Sequence, residues 1–111
     1  MPLFTQEKVF DAESIRDTST HDSTIIYLGE FRLKTIIIEN SLNQTVTLQC
    51  KASAHNDFSN SFSVGSSFNV TAGVNTYQTC DSYFPYMRIV AQCSAAPTSG
   101  SLTVHFLEYG E

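Results

Sequence analysis

Over residues 44–54 the chain alternates polar and apolar residues without a fault. Val46, Leu48, Cys50, Ala52 and Ala54 fall on one side, and Thr45, Thr47, Gln49, Lys51 and Ser53 on the other. Successive side chains of a strand point to opposite faces, so this segment reads as a half-buried antiparallel strand. The same period returns over 87–94, with Arg88, Val90 and Gln92 outward, and over 102–106, with Thr103 and His105 outward. No helical period appears.

Other stretches fit the same frame. Residues 24–28 form a short β-branched and aromatic run closed by Gly29. Residues 31–39 carry apolar side chains on both faces at Ile36, Ile37 and Ile38, as a central strand does. Asn40-Ser41-Leu42-Asn43 is turn chemistry, so 31–39 and 45–54 are expected to form a hairpin. A polar loop around Phe58 leads to a weaker strand, 62–70, where Gly65 suggests a bulge or an edge. Residues 74–79 follow, then an aromatic connection over 81–85. Ser (14) and Thr (12) together make about a quarter of the chain, whereas only 15% is charged, against roughly 25% in an average domain. Hydroxyls replace charges on the surface, as in an all-β domain. About seven to eight strands at roughly 8–12-residue spacing predict an antiparallel β-sandwich or jelly roll over residues 24–111.

Residues 1–23 differ. They hold five acids and two bases, with Phe4, Val9, Phe10 and Ile15 widely spaced and no period long enough to define an element. This segment reads as an extended N-terminal arm that orders against a partner or a neighbouring subunit. The alternative is one short strand over 6–10 on the domain edge.

Catalysis needs a nucleophile beside a base, paired carboxylates or a metal cluster. His21, His55 and His105 have no companions at motif spacing, so no catalytic, cofactor-binding or metal-binding residue is assigned, and the chain is not expected to be an enzyme. Cys50, Cys80 and Cys93 are an odd set without a Cys-x-x-Cys. Cys50 and Cys93 fall on apolar faces and read as buried free thiols, with a Cys50–Cys93 cross-sheet bond as the alternative. A net charge of −5 excludes a phosphate-tracking nucleic-acid surface. No run of about 18 apolar residues exists to span a membrane, and no secretory signal is visible at the start. Tyr83 and Phe84, in a connection, are the aromatic candidates for a contact surface.

Several stretches carry a family resemblance. They are Tyr27-Leu28-Gly29-Glu30-Phe31, Lys34-Thr35-Ile36-Ile37-Ile38-Glu39-Asn40, Gln44-Thr45-Val46-Thr47-Leu48-Gln49, Phe84-Pro85-Tyr86-Met87-Arg88-Ile89-Val90 and Pro97-Thr98-Ser99-Gly100-Ser101-Leu102-Thr103-Val104. About 80 residues thus resemble small β-sandwich virion structural proteins of tailed bacteriophages and prophages. The resemblance implies a capsid cement (decoration) protein or a part of a tail or baseplate assembly, and the first expectation is a cement protein that binds and stabilises the head shell. Its partners would be the major capsid protein or other virion proteins, its location the virion, and its assembly a closed homo-oligomer, with a trimer as the first expectation. Phe4, Phe10 and Ile15 of the arm, with Tyr83 and Phe84, are the expected partner-binding residues. The alternative is a tail or baseplate accessory, or a carbohydrate- or cell-surface-binding module; a glycan platform usually exposes Trp, and this chain has none.

Overall fold

The computed structural model describes the backbone of residues 3–27, 33–80 and 84–110, and the side chains of residues 6–27, 35–79 and 84–108. Nine strands run β1 (Leu3–Glu13), β2 (His21–Asp22), β3 (Ile26–Tyr27), β4 (Leu33–Asn40), β5 (Val46–Ser53), β6 (Phe62–Val70), β7 (Asn75–Cys80), β8 (Tyr86–Cys93) and β9 (Leu102–Gly110). They form two antiparallel sheets, one ordered β1-β9-β4-β7 and the other β2-β8-β5-β6, with β3 also on β8. This is the jelly-roll order: chain neighbours mostly lie in opposite sheets, and the last strand returns beside the first. β2 and β3 act as one interrupted strand along β8. In the gap the Ser23 amide donates to the Ile89 carbonyl (2.9 Å), and the Ile89 amide donates to the Ser23 hydroxyl (2.8 Å).

The core follows the alternation. Val46, Leu48, Cys50 and Ala52 from β5 meet Met87, Ile89, Ala91 and Cys93 from β8 within one sheet. Ile36 and Ile38 of β4 and Leu102, Val104 and Phe106 of β9 close over them from the other. Ile37 projects outward and is only half-buried, so β4 is less enclosed than its run of isoleucines suggests.

The expected hairpin between β4 and β5 does not form. β4 pairs with β7 and β9, and β5 pairs with β6 and β8. Asn40, fully buried at the end of β4, accounts for the change of sheet. Its Oδ1 accepts the Leu42 amide (3.1 Å), turning the chain. Its Nδ2 donates to the carbonyls of Gln44, Val70 and Thr71 at 3.1–3.3 Å. One side chain therefore ties the corner leaving β4 to the corner leaving β6. Replacing Asn40 with Ala leaves a buried amide and several carbonyls without partners, at about 1 kcal/mol for each net bond and more where burial excludes water. Asn40→Ala is expected to lower stability by about 2–3 kcal/mol in urea unfolding, with an unchanged m-value. A loss no larger than that of an exposed control such as Asn56→Ala would refute this role.

Residues 3–23 depart from the expected arm and agree with its alternative, a strand on the domain edge, which is longer than 6–10. β1 pairs with β9 from Leu3↔Gly110 to Glu13↔Leu102, with irregularities at Val9 and between Phe10 and Glu13. The first lets Val9 and Phe10 both turn inward, at 5% and 3% exposure, and the second contains Ala12 in the left-handed region (φ 51°). Ile15 is fully buried. Residues 6–23 are part of the sandwich, not a separate arm, because bulges bring apolar residues of irregular spacing onto one inner face.

Cys50 and Cys93 are buried, and neither is in a disulfide. They lie in the same sheet, with Cys50 opposite Ile89 and Cys93 opposite Val46, so the considered bond between sheets has no geometric basis.

Candidate interaction surfaces

On the outer face of the β2-β8-β5-β6 sheet, pairing of β3 with β8 sets Tyr27 beside Tyr86, with ring centroids 5.4 Å apart and planes tilted by 43°. Tyr27 is 67% exposed. Next along β8, Arg88 projects from the same face. The loop between β5 and β6 folds back so that Phe58 lies 4.7 Å from the guanidinium carbon, a cation–π contact. Short local bonds shape that loop: Ser53 Oγ donates to the Ser59 carbonyl (2.7 Å), and the Phe58 amide to the His55 carbonyl (3.0 Å). Phe58 and Asn60 adopt positive φ to complete it. The Asp57 carboxylate accepts the Ser59 amide, which holds its pKa below the usual range. Asp22 lies 3.5 Å from Arg88 across the strand pair.

The outer face of the other sheet is built differently. Lys8, His105, Ile37 and Tyr77 stand side by side across β1, β9, β4 and β7. His105 is held between Gln6 (3.2 Å) and Glu39 (2.7 Å). Tyr77, at the open edge, is 68% exposed.

Of the residues expected to bind a partner, those whose side chains are described do not form one surface. Phe10 and Ile15 belong to the core. The backbone of Phe4 pairs with Tyr109; its side chain, and all of Tyr83, lie outside the described residues. Phe84 is half-buried, packed edge-on to Phe62 at 5.3 Å between centroids. Alternation alone could not reveal the Tyr27–Tyr86 pair, because it depends on which strand β3 joins. A readable signal was the absence of charge over residues 58–80, which the structure turns into one side of the sandwich.

Chemically these surfaces offer contact. His21 bonds Asp17 at 2.7 Å, and that bond, aided by the Ser19 hydroxyl (2.9 Å), holds the Asp17 carboxyl below its usual range; all three sit on the surface. Burial raises the Cys93 thiol, which disfavours the reactive thiolate. Among the described residues no three His, Cys, Asp or Glu side chains are grouped to hold a metal ion.

The chain matches no protein-family model and no curated protein. Among solved structures it is similar to the PBSX exported protein XepA (TM-score 0.71, 16% identity), covering 96% of this chain and 37% of that one. It spans, therefore, little more than a third of that protein. The SPBc2 prophage-derived protein YomS superposes with a TM-score of 0.67 at 16% identity, covering 99% of this chain and 96% of YomS. The coat protein of Tobacco streak virus gives 0.56 at 8% identity, covering 99% of this chain and 86% of that one. The fold is thus one shared with a prophage-derived protein and with a viral coat protein.

Proposed function

We propose that this chain is a bacteriophage virion structural protein, and within the virion a capsid cement protein that binds the head shell. The observation that carries the reading is end-to-end superposition on the prophage-derived YomS, with 99% of this chain and 96% of that one aligned. A jelly roll with exposed aromatic contact surfaces on its sheets suits a part whose work is docking. Its partners would be the major capsid protein or neighbouring virion proteins, and it would act as a closed homo-oligomer, three copies being the expectation.

Exposed Tyr27, paired with half-buried Tyr86 beside Arg88, favours one second reading, a tail or baseplate module that stacks a sugar ring on the aromatic face. The two readings separate by sedimentation. Mixed with empty heads of the phage that encodes it, a cement protein pellets with the heads in hundreds of copies per particle and ignores glycan arrays. Binding to a glycan, lost in Tyr27→Ala and with no protein on the heads, would overturn the cement reading in favour of the module.

A further inference from the structure

The sandwich has two unlike sides. One is bounded by β1 and β2, and residues 1–23 there hold Glu7, Asp11, Glu13, Asp17 and Asp22 against Lys8 and Arg16. The opposite side is bounded by β6 and β7, the outer strands of the two sheets, joined by a tight turn in which the Val74 amide donates to the Thr71 carbonyl (3.1 Å). From residue 58 to residue 80 the chain contains no Asp, Glu, Lys, Arg or His. Three of the four large apolar side chains found exposed among the described residues lie on this stretch: Phe62 (45%), Val74 (41%) and Tyr77 (68%).

An open edge offers a row of backbone N–H and C=O groups to any passing strand. Natural proteins guard such edges with charge, proline or a bulge. β6 has one such guard, the irregularity at Gly65 (φ 70°), where Gln49 Nε2 donates to the carbonyls of Val64 and Gly65. β7 has none. It pairs with β4 without interruption from Glu39↔Asn75 to Lys34↔Cys80 and carries neither charge nor proline. Among the described residues nothing pairs with its outer side.

We infer that the β6–β7 side is where a second copy of this chain docks, with β7 as the strand that extends the sheet. Charge selects this occupant. A foreign partner chosen electrostatically needs an ionic complement, and the edge strands β6 and β7 carry none; the nearest charges among the described side chains, Glu39 and Lys51, stand one strand further in. Two copies at −5 each repel through their acidic surfaces and approach most closely along the uncharged strands β6 and β7. Pairing adds main-chain bonds and covers Tyr77 and Val74 together. Assembly closes either as a two-fold pair, β7 against β7, or as a ring in which β7 meets the β1 side of the next copy. The inference does not depend on the virion reading, and its test contains no phage component.

The test is mass in solution. Light scattering over a dilution series should give a multiple of 12.3 kDa for the native chain and 12.3 kDa for Tyr77→Lys/Thr79→Lys. Both side chains are exposed, so the variant should keep the native circular dichroism spectrum. If it does not fold, Tyr77→Lys alone replaces it, with a weakened association expected. Gln6→Lys on the opposite edge should leave a two-fold pair intact and break a ring; either outcome, beside a monomeric β7 variant, supports the proposal. A native chain that is monomeric at every concentration would overturn it, as would folded β7 variants with native mass.

Discussion

Deleting residues 1–20 is expected to abolish the cooperative unfolding transition altogether. The deletion strips β1 from β9 along its length and removes Val9, Phe10 and Ile15 from the core. Truncating one large buried apolar side chain costs about 2–5 kcal/mol, and a whole domain has only about 5–15 kcal/mol to lose. Losing Phe10 and Ile15 together with an edge strand therefore exceeds what a 111-residue fold can absorb. It also bares β9, whose backbone would lose one of its two partners. Circular dichroism melts should show no transition, and amide spectra should collapse to the disordered range. The point variant Ile15→Ala isolates one contribution: its melting temperature should fall by roughly 10–20 °C. A truncated chain that melts cooperatively would mean that residues 1–20 are an appendage and that the burial of Ile15 contributes little.

Gly100→Ala carries the second large effect. Gly100 has φ +85°, a left-handed conformation that costs an L-residue about 1–2 kcal/mol on its own. Here sterics add to it. A Cβ at this position runs into the Ser41 carbonyl oxygen and lies 2.8 Å from Leu42 Cα, both backbone atoms. That backbone has little freedom to retreat. The Ser41 amide donates to the Ser101 carbonyl (2.9 Å), the Ser101 amide to Ser41 Oγ (3.0 Å), and Arg16 clamps the Gly100 carbonyl (3.0 Å). The expected destabilisation is about 3 kcal/mol or more. Gly73 is the control: φ is +76°, yet a Cβ there meets nothing within 4 Å. Gly73→Ala should cost only about 1–2 kcal/mol, the conformational part alone. Equal denaturant midpoints for the two variants would remove the steric argument.

The Gly100 contact also shows how the two halves of the chain are joined. Ser41 and Asn43 follow β4, Thr98 and Ser101 precede β9, and their mutual hydrogen bonds hold these corners at one end of the sandwich. The pattern of residues 97–104 reads as a turn and a strand, which they are. Nothing local says that this turn lies against the one after β4, because the partners are about 60 residues apart and the signal is a set of small polar side chains common to any loop.

The contact surfaces were less legible than the core. Inward residues at 46, 48, 50, 52, 87, 89, 91, 93, 102, 104 and 106 follow from strict alternation, since the two-residue repeat of a strand is a local property. Phe58 carries no such mark: it looks like a loop aromatic free for contact, and it is covered by Arg88, a residue 30 positions on. Tyr27 and Tyr86 become neighbours only because β3 completes the strand that β2 begins.

The sequence by itself determined that this chain is all-β, where most strands run, and which side chains of β5, β8 and β9 turn inward. Those facts rest on sterics and alternation between residues one or two apart. Tertiary structure alone decided strand partnership. Buried Asn40 sends β4 and β5 into different sheets, where a turn sequence alone suggests a hairpin. It also decided that Phe10 and Ile15 are core: bulges and a bend broke their period, so only packing against β9 reveals the inward face they share. Which edges stay open was likewise beyond local reading, because an edge is defined by the strand that is missing next to it.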